Sequence, residues 1–145
     1  MSIIVRNKKA SYEYEFIETL TAGIQLVGSE VKSIKANKVS ISEAYCYIKN
    51  SEVFIMGMNV SEYKESGTYT NHEPTRVRKL LLNKNEIIKL NVSIQTKGLT
   101  IVPISVIVKN GLVKVEIALA RGKNLFDKRE SIKKRDLERE LNIKF

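Results

Sequence analysis

His72 is the only histidine in the chain, so it would have to supply the general base or metal ligand of most hydrolytic mechanisms. No nucleophile or second ligand lies near it in the sequence. Phosphate-binding loops of the GxxxxGK and GxGxxG types are absent as well. The carboxylates show no paired spacing and are spread over different predicted elements: Glu30, Glu73, Asp127 and Glu130. We therefore predict that the chain is not an enzyme and that it uses no metal or cofactor.

Basic residues, in contrast, recur in short clusters at the ends of the predicted elements. The clusters are Asn7-Lys8-Lys9, Lys32 with Lys35, Arg76-Val77-Arg78-Lys79 and Arg121-Gly122-Lys123. Loops at the rim of a small barrel can converge, and converging Lys and Arg contact phosphates without reading base sequence. Tyr12, Tyr69 and Phe126 lie beside these clusters and could stack on unpaired bases. Solubilising surface charge and aromatic packing residues are the alternative interpretations.

Charge dominates the last stretch of the sequence, from Asp127 onward. Its apolar residues are too sparse for a core-facing stripe, and an isolated helix of this length is marginal in water. The basic residues here are Lys128, Arg129, Lys133, Lys134, Arg135 and Arg139. We predict a basic C-terminal tail over residues 123–145 that is flexible when free and orders on RNA.

The whole-chain composition fits one small globular domain of 145 residues. A formal net charge of +9, from 25 Lys+Arg against 16 Asp+Glu, predicts a polyanionic partner, with nucleic acid ahead of an anionic membrane. No apolar run approaches the roughly 20 residues of a membrane span, and no secretory pattern opens the chain. The lone Cys46 agrees with a reducing compartment. We expect a cytoplasmic protein without membrane contact.

Local patterns in the first half of the chain predict strands and one short helix. Residues 13–20 and 23–27 read as two strands separated by a hairpin turn or bend at Thr21-Ala22-Gly23. A short helix follows, with Ser29 as its N-cap and Asn37 as its stop. Residues 39–48 and 53–60 are predicted to pair antiparallel, and residues 61–79 form the longest predicted loop.

The second half carries the clearest signals. Asn83 with Glu86 predicts a capped helix that Gly98 ends, and Asn110-Gly111 predicts a tight hairpin between residues 99–109 and 112–120. Short strands without a βαβ rhythm predict a mainly β fold with helices. Residues 1–122 would form an OB-like small β-barrel with flanking helices.

Six sequence blocks resemble one known family over nearly the whole chain. In order they are NKKA, AGIQLVGSEVKSIKANK, NHEPTRVRKLLLN, TKGLTIVP, KNGLVKVEIALARGK and DKRESIKKRD. They are similar to blocks of the SsrA-binding protein family, also called small protein B. The resemblance implies an OB-like barrel that binds the tRNA-like domain of transfer-messenger RNA. It also implies delivery of that RNA to stalled ribosomes in trans-translation, where the nascent peptide is tagged.

The resemblance and the basic clusters together predict an RNA-binding face. Leu81 and Lys114 enter through the resemblance and not through charge. The predicted residues are Asn7, Lys8, Lys9, Gly23, Glu30, Lys32, Arg76, Lys79, Leu81, Lys114, Arg121, Gly122 and Lys123.

The resemblance further implies that the tail becomes helical on the ribosome, in the small-subunit decoding centre and the vacant mRNA channel. The tail residues predicted to bind there are Phe126, Asp127, Lys128, Arg129, Lys133, Lys134 and Arg135. Elongation factor Tu would be an indirect partner through the charged RNA. A generic OB-type RNA-binding or ribosome-associated factor stays open as an alternative, as does a small RNA-processing enzyme that uses His72.

Overall fold

The computed structural model describes residues 2–63 and 72–123, and within them the chain forms nine strands and three helices. The strands are β1 (Ser2–Arg6), β2 (Tyr14–Ile24), β3 (Val39–Ser40), β4 (Tyr45–Lys49), β5 (Glu52–Met56), β6 (Asn59–Val60), β7 (Arg78–Leu81), β8 (Thr100–Lys109) and β9 (Leu112–Gly122). The helices are α1 (Lys8–Glu13), α2 (Gly28–Lys35) and α3 (Lys84–Lys97).

Seven strands form one antiparallel sheet in the order β1-β8-β9-β2-β7-β5-β4, and β3 pairs with β6 in a small second sheet. The large sheet curls until Cα atoms of β4 come within 8 Å of Cα atoms of β8. In residues 2–63 and 72–123 no backbone ladder joins β4 to β1 or β8. The predicted mainly β fold around a small barrel-like core is confirmed. The barrel is not closed, because the described edge strands are not joined by backbone hydrogen bonds.

Two hairpin turns form where the sequence predicts them. Asn110 and Gly111 have φ angles of 53° and 78°, the left-handed conformation that a type I′ turn requires at both central residues. Asn50 and Ser51 also have positive φ, at 52° and 62°, between the paired residues of β4 and β5. Both predicted antiparallel pairings are confirmed.

The predicted caps of α3 are confirmed, whereas the predicted N-cap of α2 is not. The Asn83 side chain accepts from the Glu86 N–H at 2.9 Å and the Glu86 carboxylate accepts from the Asn83 N–H at 3.0 Å, while Gly98 ends the helix at φ 67°. The predicted N-cap of α2, Ser29, is wrong because Val27 holds that position. The Ser29 hydroxyl is instead hydrogen-bonded to the His72 ring at 2.8 Å.

Strand β2 is continuous, so the bend predicted at Thr21-Ala22-Gly23 is wrong. Thr21 pairs with Glu116 on β9, and Gly23 lies between paired residues on β7 and β9. Backbone hydrogen bonds to these neighbouring strands keep the glycine-containing segment extended. Local propensity does not reveal such pairing with distant strands. For the same reason, local patterns do not predict β1, α1 or the start of β7 inside the expected loop.

Side chains alternate along each strand, so the two faces of the sheet pack against different parts of the chain. On β9, Val115 and Ile117 point into the main core, where Ile34 of α2 and Leu90 of α3 pack with them. The next alanines in the alternation, Ala118 and Ala120, point the other way and are buried with Ala10 of α1. We call the face that carries α1 the outer face. Among the described residues, α1 is the helix that packs on this face, whereas α2 and α3 pack on the main core.

Cys46 of β4 belongs to the main core, where it is 6% exposed. Burial raises the pKa of the Cys46 thiol well above its usual value, which suppresses the reactive thiolate. The residue therefore packs as a small hydrophobe.

A buried carboxylate joins α2 to β7. Glu30 and Arg78 are both 0% exposed, and the Arg78 Nε donates to Glu30 at 2.7 Å. The Arg76 Nη2 donates to the other oxygen at 2.7 Å, and the Val27 N–H donates to that oxygen at 2.9 Å. The remaining Arg78 nitrogens donate to backbone carbonyls, including that of Met58 at 2.9 Å. Both Glu30 oxygens and all three Arg78 nitrogens are thus hydrogen-bonded, as buried charge requires.

The pKa of Glu30 reflects this arrangement. Burial acts to raise it, but hydrogen bonds from Arg76, Val27 and Arg78, together with the Arg78 charge, hold it below the ordinary value. A carboxyl with a lowered folded-state pKa adds stability that is present above its unfolded pKa and is lost as pH falls through the folded value.

We predict that Glu30→Gln lowers the free energy of unfolding by about 3–5 kcal/mol, because Arg78 is left buried without its counter-charge. Urea unfolding followed by circular dichroism measures this. The variant should also lose less stability than the parent below about pH 4, where the carboxylate contribution disappears.

The matched control is Glu15→Gln, which removes an exposed carboxylate 2.9 Å from Arg121. It should cost under about 1 kcal/mol. Equal losses from the two variants would contradict the role assigned to the buried cluster.

Gly57 has a φ of 83°, and a Cβ added there would lie 2.6 Å from the Glu43 carbonyl oxygen. Gly57→Ala should cost about 3 kcal/mol or more, since backbone strain and overlap add together. Gly111→Ala has a similar φ of 78° with nothing within 4 Å, so it should cost only about 1 kcal/mol. Urea midpoints of the two variants compare them directly, and indistinguishable midpoints would refute the overlap.

Candidate nucleic-acid interface

Leu81, Gly23 and Lys114 lie side by side on three neighbouring strands of the outer face. Gly23 of β2 is the direct cross-strand partner of both Leu81 on β7 and Lys114 on β9. We call these three residues the central row. They come from three distant parts of the sequence, and the sheet brings them together.

The glycine is needed for the shape of this row. A Cβ atom at Gly23 would lie 3.2 Å from the Leu81 Cβ, so a larger residue would require Leu81 to shift by a few tenths of an ångström. Leu81 is 48% exposed, although it is a large apolar side chain. The central row is therefore a shallow apolar surface beside a lysine, in which the Leu81 side chain packs against the half-buried backbone of Gly23.

A second group forms where β9 ends against α1. The Lys123 N–H donates to the Glu13 carbonyl at 3.0 Å, and Gly122 pairs with Tyr14. The two basic segments of the chain thereby meet at the α1 end of the sheet. We call this set the α1 group, which consists of Lys8, Lys9, Arg121, Gly122 and Lys123.

Ion pairs within the α1 group are open to solvent. Lys9 lies 3.6 Å from the Glu43 carboxylate and Arg121 lies 2.9 Å from Glu15, and all four side chains are more than half exposed. Exposed pairs of this kind hold little free energy. A phosphate can therefore compete for these two cations.

The central row and the α1 group lie at different positions on the sheet. Strand β2 runs from Tyr14, beside the α1 group, to Gly23, and nine residues of extended chain span about 30 Å. Of the basic clusters that were predicted to converge at one rim, the two at α1, residues 7–9 and 121–123, do meet. The other clusters lie elsewhere in the fold. A ligand that touches both groups has to be as long as a folded RNA arm.

Two predicted RNA-binding residues are buried and occupied within the protein. The Glu30 carboxylate is enclosed with its arginines, so the prediction of direct RNA contact by Glu30 is wrong. Asn7 is 8% exposed; its side chain accepts from the Ala10 N–H at 3.2 Å and donates to the Pro103 carbonyl at 3.0 Å. Asn7 caps α1 and positions the two lysines that follow it.

Three other predicted residues come from the segments around α2 and β7. Arg76 is held by Glu30 on the core side, and Lys32 extends from the exposed side of α2, with its Nζ 5.6 Å from the Tyr63 ring centroid. Lys79 does lie on the outer face, and its Nζ is 2.7 Å from Glu52. Of the basic residues in the cluster at residues 76–79, only Lys79 faces the same way as the central row.

His72 is fixed inside the fold. Its Nδ1 is hydrogen-bonded to the Ser29 hydroxyl and its Nε2 to the Val60 carbonyl, both at 2.8 Å, and the residue is 7% exposed. Neither nitrogen points to a free surface. Among the described residues, no cluster of three or more His, Cys, Asp or Glu could bind a metal ion.

The predicted stacking residues and the predicted tail are described only in part. Tyr12 lies on α1 and is 55% exposed, whereas Tyr69 lies outside the described residues. The predicted tail residues that also lie outside are Phe126, Asp127, Lys128, Arg129, Lys133, Lys134 and Arg135.

The sheet also adds residues that charge clusters do not indicate. Tyr45, Tyr47 and Lys49 alternate along β4, and Phe54 is the partner of both Tyr47 and Lys79. All of them share the face of the central row. The alternation of aromatic and core residues in AYCYIK was a usable signal, because period two on a strand places such residues on one side.

None of the described helices has the length and apolar character that a membrane span requires.

Comparison with known proteins gives a consistent result across nearly the full chain. A family model described as SmpB protein matches residues 4–145. The SsrA-binding protein of Acholeplasma laidlawii is 54% identical over 140 residues, which cover 97% of this chain and 93% of the relative. That of Fusobacterium nucleatum is 54% identical over 143 residues, which cover 99% and 96%.

A solved structure agrees in fold as well as sequence. A chain in the structure described as "tmRNA-SmpB: a journey to the center of the bacterial ribosome" is 39% identical, with a TM-score of 0.68. The match covers 93% of this chain and 94% of that chain. Since the family model and the relatives extend over almost every residue, the chain belongs to the SmpB protein family, the SsrA-binding proteins.

Proposed function

We propose that this protein binds the tRNA-like domain of transfer-messenger RNA and carries it to stalled ribosomes for trans-translation. The observation that carries the proposal is the central row, in which Gly23, Leu81 and Lys114 form one surface on the outer face. The names of the relatives, SsrA-binding proteins, and of the structural neighbour, a tmRNA-SmpB complex, support the same ligand.

The geometry suits a folded RNA better than a single strand. Two contact regions about 30 Å apart on a rigid sheet require a ligand that keeps its own shape over that length. The cations of the α1 group can neutralise phosphates at one end, and Lys114 can do so at the other. The absence of a side chain on Gly23 keeps the row shallow, so that a ribose or base edge can lie against the exposed Leu81 side chain. Recognition would then depend on the shape of the RNA, as is usual for structured RNA.

We propose two parts with separate tasks. Residues 1–122 form the RNA-binding domain, and residues 123–145 form a basic tail that contacts the small-subunit decoding centre and the mRNA channel. The protein then acts as a binding factor without catalysis, in the cytoplasm, and meets elongation factor Tu only through the charged RNA. The end of β9 at the α1 group supports this division, since the tail would leave the domain beside bound RNA.

We predict that Lys114→Ala weakens binding to the tRNA-like domain and reduces the slope of log affinity against log salt by about 1, because one phosphate contact is lost. Filter binding or anisotropy over a salt series measures both quantities, with bulk tRNA and an unstructured RNA as competitors. The matched control is Lys89→Ala, which removes the same charge from an exposed position on α3, the helix that packs on the core side.

Loss of affinity in both variants alike would point to general charge attraction. Equal binding of all three RNAs, falling together with salt, would replace the proposal with a generic basic RNA-binding factor.

We also predict that removing residues 124–145 leaves affinity for the tRNA-like domain within about twofold and abolishes peptide tagging. The shortened chain keeps every described contact of the outer face, including the Lys123 backbone bond to Glu13. A reconstituted translation reaction on a message without a stop codon measures tagging. Joint loss of RNA binding and tagging in a folded variant would contradict the two-part division.

A further inference from the structure

Four large side chains form a strip on the outer face at the β4 edge of the sheet: Tyr45, Tyr47, Phe54 and Met56. We call this set the aromatic strip. Tyr47 is the direct partner of Phe54, and Tyr45 is the direct partner of Met56. The neighbouring residues on the two strands, Cys46, Val53 and Ile55, point into the core and are buried.

The rings lie close together and only partly cover one another. The Tyr45 and Tyr47 ring centroids are 6.5 Å apart with planes inclined at 42°, and those of Tyr47 and Phe54 are 5.6 Å apart at 30°. The Tyr45 hydroxyl donates to the Met56 sulfur at 2.8 Å, while the cross-strand pairing of Tyr45 with Met56 sets the position of the ring. The strip is thus a positioned set of rings.

Packing in the core does not explain why these four large side chains lie together. Tyr45 is 51% exposed and Met56 is 38% exposed, and neither belongs to the core cluster. Cross-strand pairing fixes their positions while one side of the rings is left to solvent. A folded protein gains little from so much exposed apolar surface unless a ligand covers it.

The charges beside the strip indicate which ligand. Lys79 is the partner of Phe54 and faces the same way, and Lys49 follows Tyr47 on the same side of β4. Glu52 is the acidic residue between them, and it is paired with Lys79 at 2.7 Å. These three side chains leave a net positive charge at the Phe54 end of the strip, while the Tyr45 end lines a pocket with Lys9, Glu13 and Glu43. Rings beside cations fit a nucleotide, which has a flat base and an anionic phosphate.

Strand geometry also connects the strip to the central row. Lys79 lies two residues before Leu81 on β7, and Leu81 is the partner of Gly23. An RNA strand bound along the central row therefore reaches the strip without leaving the outer face. This continuity favours RNA over a protein partner at the same position.

We propose that the aromatic strip is a stacking site for an unpaired base of bound RNA, with Lys49 and Lys79 near its phosphates. The inference rests on the proposed function in that RNA is the ligand, and it adds a second, single-stranded subsite to the shape-reading surface. Ring stacking does not select a base strongly, so the site would accept any accessible base and prefer the larger purines.

The test uses the full chain and an adenine oligoribonucleotide that contains one 2-aminopurine, whose fluorescence falls when it stacks. Tyr45→Leu removes the ring and keeps apolar bulk, whereas Tyr45→Phe keeps the ring and loses the hydroxyl. We expect Tyr45→Leu to weaken oligonucleotide binding about tenfold and to restore most of the fluorescence. Tyr45→Phe should stay within about twofold of the parent. Urea unfolding checks that both variants fold.

Several outcomes would overturn the inference. One is equal quenching and affinity for the parent and Tyr45→Leu, and another is a parent chain that does not bind the oligonucleotide. Equal losses in Tyr45→Leu and Tyr45→Phe would also overturn it, because stacking needs the ring and not the hydroxyl. Binding to the tRNA-like domain, measured in parallel, separates the two proposals: if the parent fails there while ring-dependent oligonucleotide binding persists, the proposed function falls and the stacking site stands.

Discussion

The buried Glu30 carboxylate and the two arginines around it constrain the rest of the molecule. Arg78 lies inside the fold only because Glu30 neutralises it, and Glu30 lies inside only because Arg76, Arg78 and the Val27 amide bind both of its oxygens. Because side chains alternate along β7, an inward Arg78 obliges Lys79 to face outward. The charge cluster thereby sets the orientation of the strand that supplies part of the proposed RNA surface.

The sheet separates stability from recognition by face. The inner side is covered by α2 and α3 and holds the main core, so substitutions there act on folding. The outer side carries α1 at one end, where Ala10 packs on Ala118 and Ala120, and leaves the central row and the aromatic strip accessible. A rigid two-sided sheet of this kind can present fixed contacts to an RNA without reorganising, which lowers the entropic cost of binding.

Charge contributes to this surface in two different ways. The Glu30 carboxylate and the buried Arg78 guanidinium are satisfied inside the protein, although Arg78 belongs to a basic segment of the sequence. The exposed pairs, such as Lys9 with Glu43, are weak and can exchange a carboxylate for a phosphate. A count of basic residues therefore overestimates the binding surface, because burial and pairing decide which cations are available.

Local spacing and an ordered set of motifs were enough to predict the mainly β fold, the turn at Asn110-Gly111, the caps of α3 and the family. Three features could not be read in this way: β2 runs straight through Gly23, Glu30 is enclosed, and Gly23 meets Lys114. Each of them depends on which distant strands pair. Pairing is fixed by the packing of the whole sheet, and no local pattern encodes it.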